Sequence, residues 1–174
     1  MSKKLLYSGF VAALIGVAGL VWHDMSSMDI DELVLCSANE GGIKIPSRLC
    51  THYMTNYRID EDDIEQLSKG AGLEFILNLE NPEKYKMAEI FISRGLDVNS
   101  INHYNDKDIT PLHAAVLYND LERVRFLINQ GANINIESKG YGMTALELAR
   151  KLHKEHGKEN RSEIVKILSA TAST

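Results

Sequence analysis

The chain has 174 residues, enough for one folded domain with accessory segments. Its net charge of −5, from 19 basic and 24 acidic side chains, argues against nucleic acid as a partner, which needs clustered Lys and Arg to displace phosphate counterions. At 44% hydrophobic and 25% charged, the composition is that of a globular protein rather than a disordered one.

Lys3 and Lys4 precede an 18-residue apolar run from Leu5 to Trp22, broken only by Tyr7, Ser8 and glycines. That length sits between a signal-peptide core and a membrane span. Val17, Ala18 and Gly19 approach a cleavage pattern, but Leu20, Val21 and Trp22 continue the run, and Trp22 and His23 suit a membrane interface. Residues 1–23 therefore read as an uncleaved anchor. A cleaved signal, which leaves a soluble exported protein, is the alternative. A buried core helix fits poorly with a run at the terminus behind two lysines. Asp24, Asp29, Asp31 and Glu32 come after the run, so the charge asymmetry keeps the lysines in the cytoplasm and sends the rest outward.

Residues 24–58 form a tether and a stapled segment. The polar stretch 24–34 reads as a tether or short helix. In residues 33–45, two short apolar runs flank Asn39-Glu40-Gly41-Gly42, a pattern that predicts a small hairpin or irregular loop. Cys36 and Cys50 fall on the exported side, where disulfides persist. Their bridge would close a loop of about 15 residues, worth roughly 3 kcal/mol in chain entropy. A pair of buried free thiols is the other reading. Residues 48–58, with Tyr53, Met54 and Tyr57, pack as a short helix or strand.

Residues 59–174 are the main domain. Asp60 is placed to cap a helix with Glu61, Asp62 and Asp63 in its first turn, where the helix dipole favours negative charge. This acidic cluster lacks the ligand spacing and central glycine of a calcium loop and reads as a solvated helix start. Leu73–Leu79 is a second apolar helical stretch. Lys84–Arg94 is a third, with Met87, Ile90 and Phe91 on one face and Gly95 ending it.

An internal repeat organises the C-terminal half of the chain. Gly95-Leu96-Asp97-Val98-Asn99 returns as Gly131-Ala132-Asn133-Ile134-Asn135, 36 residues later, each after an amphipathic helix. Thr110-Pro111-Leu112-His113-Ala114-Ala115 is echoed by Thr144-Ala145-Leu146-Glu147-Leu148-Ala149, 34 residues later. The period suits a unit of turn, helix, turn, helix. Residues 107–136 resemble one complete ankyrin repeat, with Thr110-Pro111-Leu112-His113 and Gly131-Ala132-Asn133-Ile134-Asn135 as its signatures. Residues 70–99 keep the second helix and the turn of such a unit. Residues 141–168 keep T-A-L-x-L-A and a second helix from Ser162 to Leu168.

The resemblance implies an all-α fold: a short ankyrin-repeat solenoid of about three repeats, behind the N-terminal membrane helix and the disulfide-stapled segment. Thr110 and Pro111 suit a helix start, and the alanines allow close helix approach. A single unit cannot bury its apolar face alone, so neighbours share one core. Residues 48–69 and the polar face of the last helix serve as caps. Arg123 departs from the family, which places a branched apolar residue there. Lys154–Asn160 reads as an insertion, and Glu80–Tyr85 as an extra loop.

Signs of catalysis are missing. The sequence has no G-x-S-x-G and no phosphate-binding glycine loop. His113 belongs to the repeat signature and is expected to hydrogen-bond between repeats. His153 and His156 are spaced for a metal but have no third ligand in the sequence. Cys50 and His52 are too close in sequence to be expected as a nucleophile pair. The reading is therefore not an enzyme, with no cofactor and no metal. By position in the family, the partner-binding candidates are Asn102, His103, Tyr104, Lys107, Asp108, Ile109, Tyr118, Asn119 and Tyr141.

A small exported ankyrin protein with an N-terminal anchor and paired cysteines is similar in architecture to bacterial immunity proteins, some of which neutralise phospholipase effectors of type VI secretion. The resemblance implies a single-pass protein of the bacterial inner membrane, with its C-terminal domain in the periplasm, where it binds and blocks a secreted toxin. The alternative is an envelope scaffold that recruits or stabilises a periplasmic enzyme. Without Lys3 and Lys4, 17 basic residues face 24 acidic ones, a balance of −7 that favours a basic partner.

Overall fold

The structure is a computed structural model that describes residues 3–104, 107–155 and 160–173, with residues 3–8 described by backbone alone. It divides into two compact units, Met1–Arg58 and Ile59–Thr174.

The first unit begins with α1 (Lys3–Ser27), whose residues 9–20 are all exposed. Its segment Gly9–Ser27 is long and apolar enough to cross a membrane. A buried core helix is thereby set aside. Next comes α2 (Ile30–Ala38), in place of the small hairpin or irregular loop expected over residues 33–45. The helix wins because the Asp29 N–H donates to the Glu32 carboxylate at 3.3 Å and holds the first turn. Ile30, Leu33, Val34 and Ser37 then fall on one buried face. Asn39-Glu40-Gly41-Gly42 does turn the chain, but as a helix end. Asn39 is left-handed at φ 62°, and the Glu40 N–H reaches back to the Leu35 carbonyl at 2.8 Å.

Helix α3 (Ser47–Tyr57) buries Cys50, Tyr53 and Met54. The Cys36–Cys50 disulfide joins α2 to α3, with Cα atoms 5.8 Å apart. Arg58 returns to the end of α1 by donating to the Met28 carbonyl at 2.9 Å. Trp22 meets Tyr53 and Tyr57 edge-on, each at 4.9 Å between ring centroids.

The second unit opens with α4 (Glu61–Lys69). The Asp60 carboxylate accepts from the Asp63 N–H at 3.0 Å, so the expected cap is present. Asp63 is not solvated as expected. It is 3% exposed and accepts the Ile59 N–H at 2.8 Å, which holds the left-handed turn at Ile59. A buried carboxylate needs such a donor.

Three helix pairs complete the unit: α5 (Leu73–Leu77) with α6 (Lys84–Ser93), α7 (Pro111–Leu117) with α8 (Leu121–Asn129), and α9 (Ala145–Glu155) with α10 (Ser162–Thr171). The first unit of the repeat therefore keeps both helices, although its sequence signature preserves only the second. Between α8 and α9, β1 (Glu137–Ser138) and β2 (Met143–Thr144) pair antiparallel, with Glu137 opposite Thr144. Leu73, Ile76, Phe91, Leu112, Val124, Leu127, Leu148 and Leu168 are buried side chains contributed by these pairs. Each contributes roughly 1.5–3 kcal/mol relative to exposure. Ala114, Ala115 and Ala149 are fully buried, consistent with close helix approach.

Gly95 and Gly131 end the second helices at φ 108° and 84°, a region that favours glycine. Of the expected insertion at Lys154–Asn160, residues 156–159 lie outside the described residues, as does His156 of the His153/His156 pair.

Candidate functional site

The tips between repeats are tied together by hydrogen bonds from backbone N–H groups. The Asn99 side-chain oxygen accepts the Asn133 N–H at 2.7 Å, linking the turns that come after α6 and α8. The Gly140 N–H donates to the Lys107 carbonyl at 3.0 Å, linking the next pair. A Cβ on Gly140 would stand 2.6 Å from the Lys107 Cα, so glycine is needed there for the tips to meet.

This junction gathers three of the candidates. Lys107 donates to the Tyr141 hydroxyl at 3.0 Å and lies 4.5 Å from its ring centroid. Asp108 accepts from Lys139, whose ammonium holds the Asp108 carboxyl below the usual range. Lys139 is not among the residues singled out from the sequence, although it adjoins the Gly140-Tyr141 tip. Its side chain is well exposed, so these contacts shape the tip more than they stabilise it.

The remaining candidates are placed elsewhere. Tyr104 is 78% exposed, and the His103 N–H donates to the Gly70 carbonyl at 2.9 Å. Asn102 faces inward. Its amide donates to the buried Glu74 carboxylate at 2.8 Å, and its side-chain oxygen accepts the Tyr104 N–H at 3.0 Å. Asn102 therefore holds the Tyr104 loop rather than offering its own amide to a partner. Tyr118 is 60% exposed at the end of α7, with Asn119 left-handed beside it at φ 54°. Ile109 must be withdrawn as a contact residue. At 2% exposure it is a core side chain under the tip.

His113 sits between units as expected. Its Nε2 lies 3.0 Å from the Met143 carbonyl, which can only accept, so that nitrogen carries the proton. In the neutral ring Nδ1 then accepts from the Thr110 hydroxyl at 2.8 Å. Burial pushes the His113 pKa below its ordinary value, against the opposing pull of the Met143 carbonyl. In the next unit Glu147 takes the histidine's place. Its carboxylate accepts the Thr144 N–H at 2.9 Å and its hydroxyl at 3.0 Å, and these bonds hold its pKa down.

Among the described residues, no three His, Cys, Asp or Glu side chains are grouped to hold a metal ion. What the surface offers is tyrosine, exposed at Tyr104 and Tyr118 and half-buried at Tyr141, beside hydrogen-bonded turns. Tyrosine adds contact area with little loss of side-chain freedom.

A family profile described as ankyrin repeats (3 copies) matches residues 76–173, more than half of the chain. Over 66 residues, or 38% of the chain, the sequence is 38% identical to alpha-latrotoxin-Lg1a of Latrodectus geometricus. That stretch is 5% of the spider protein. The likeness therefore covers about a twentieth of that protein's length. Ankyrin repeats are protein–protein interaction modules and are typically not enzymes.

Proposed function

The chain belongs to the ankyrin-repeat family, and from that premise we propose that it is an immunity protein whose repeat tips cover the active-site mouth of a secreted toxin such as a phospholipase effector. The observation that carries the proposal is the tip surface itself. Tyr104, Lys107, Asp108, Tyr118, Asn119 and Tyr141 lie at or beside points held by hydrogen bonds, among them His103 to Gly70, Gly140 to Lys107, Tyr118 to Ala114 and Tyr141 to Ser138, so less ordering is left to be lost on binding. Asn102 and His103 act from below, by fixing the Tyr104 loop.

The N-terminal half supports the compartment. α1 is suited to a membrane by length and composition, and Cys36–Cys50 is a bridge that persists in an oxidising space. Lys3 and Lys4 on one side and the acidic residues after the run on the other favour a single-pass protein of a bacterial inner membrane, with the repeats in the periplasm.

Co-expression of the full chain with a secreted phospholipase toxin tests this. The expected result is a complex that survives purification and cells that survive the toxin. A chain that binds a periplasmic enzyme but gives no protection would replace this reading with that of a scaffold.

A further inference from the structure

One face of the first unit takes no part in the binding surface. From Gly41 to Ile59 the chain carries Lys44, Arg48 and Arg58 and no Asp or Glu, in a protein whose net charge is −5. Helix α3 lies in this stretch. Its Cys50 and Met54 are fully buried, and the disulfide holds that side to α2. Leu49, Tyr53 and Tyr57 recur at i, i+4 and i+8 along another line of the same helix.

Leu49 is 46% exposed and Tyr57 56%. Tyr53 and Tyr57 stack at 5.6 Å, and Trp22, itself 47% exposed, closes edge-on against both. Trp22 belongs to Gly9–Ser27, the segment suited to cross a membrane. The exposed Tyr57 ring thus joins the apolar surface of α1 through Trp22, while Tyr53, 7% exposed, packs beneath the two. Rings with an apolar body and a polar tip favour the headgroup layer, and cationic side chains beside them favour anionic lipid.

We infer that α3 lies in the lipid headgroup layer, with Leu49, Tyr57 and Trp22 forming one seat on the bilayer over the buried Tyr53 ring, and Lys44 and Arg48 meeting its anionic phosphates. The inference rests on the reading of α1 as a membrane anchor. The disulfide fixes the rotation of α3 against α2, and with it the direction in which Leu49 and Tyr57 face.

Trp22 is the single tryptophan of the chain, so an indole reporter can be moved along the seat. The full chain, its Trp22→Phe/Leu49→Trp variant and its Trp22→Phe/Tyr57→Trp variant are reconstituted in phosphatidylcholine vesicles with and without phosphatidylglycerol. The lipids are brominated either near the carbonyls or near the chain ends. All three indoles are expected to emit to the blue of a water-exposed one, to be quenched more by the shallow bromines, and to shift further with phosphatidylglycerol.

Three results would overturn this. If the chain floats with the vesicles in alkaline carbonate but the indoles at 49 and 57 are unquenched, the anchor stands and the seat does not, which leaves that face to a protein partner. Equal spectra with and without phosphatidylglycerol remove the part given to Lys44 and Arg48. If the chain does not float at all, the anchor reading falls and this one with it.

Discussion

Arg123 in α8 donates to the backbone carbonyl of Leu77, 46 residues earlier and at the very end of α5. A second guanidinium nitrogen donates to the Asn78 side chain at 2.9 Å, and Asp120 lies 3.5 Å from the third. The last carbonyls of a helix have no partner within it and carry partial negative charge, so a buried cation suits them. Arg161 repeats the arrangement one unit later. It is 4% exposed and donates to the carbonyls of Val116 and Leu117, at the end of α7, at 3.3 and 3.2 Å.

Replacing Arg123 with leucine, which restores the residue type expected at this position of the family, should destabilise the protein by about 2–4 kcal/mol. The gain in apolar burial does not offset a Leu77 carbonyl and an Asp120 carboxylate left without their cation. Urea unfolding of the two proteins measures the difference. A variant as stable as the parent would show that the clamp contributes nothing net.

Acid should loosen the junction at His113. Its folded-state pKa lies below its unfolded value, so the unfolded chain binds more protons in the interval between them. Stability is full above about pH 6.5 and is lost as pH falls through that value toward the folded pKa. Melting temperatures should drop through this window in the parent. They should drop less in His113→Gln, which starts lower because one interunit bond is weakened.

Reducing Cys36–Cys50, or changing both residues to serine, should cost about 3 kcal/mol within the first unit. Amide exchange in α2 and α3 is the measurement, with faster exchange expected at Leu33, Val34 and Met54. Unchanged protection there would show that packing alone holds the helix pair.

If the proposed toxin complex forms, Tyr141→Ala should weaken it by about 1–2 kcal/mol, roughly five- to thirtyfold, with the fold intact. Gly140→Ala acts on the same tip from behind, since its Cβ cannot coexist with Lys107 where that residue now stands. It should lose affinity and also about 1–3 kcal/mol of stability. Calorimetric titration beside thermal melts separates the two effects. A Tyr141→Ala protein of full affinity would move the binding surface elsewhere.

Much of the repeat domain is legible in the sequence because local chemistry and tertiary role agree. Thr110-Pro111-Leu112-His113 caps a helix and joins two units with the same residues. Gly95 and Gly131 mark helix ends by their backbone freedom. Other features are hidden for physical reasons. α2 reads as a hairpin strand because Leu33, Val34 and Leu35 form a short apolar run. The better signal is Asp29 with Glu32 three residues later. α5 has no T-P-L-H, since its start is held by Ser100, whose hydroxyl accepts the Leu73 N–H at 2.9 Å from a distant turn. Asp63 looks solvated because its sequence neighbours are acids, and Ile109 looks exposed because it lies in a loop. Arg123 stands out as a departure, yet its partner carbonyl carries no side-chain signature that a sequence could show.

Each of the first two helix pairs is closed by an arginine that belongs to the next pair. Removing the last pair would carry away Arg161 and leave the Val116 and Leu117 carbonyls at the end of α7 without their donor. The boundary of a folding unit thus falls one arginine beyond the helix pair itself, so a truncation placed between repeats cuts through a unit rather than around it.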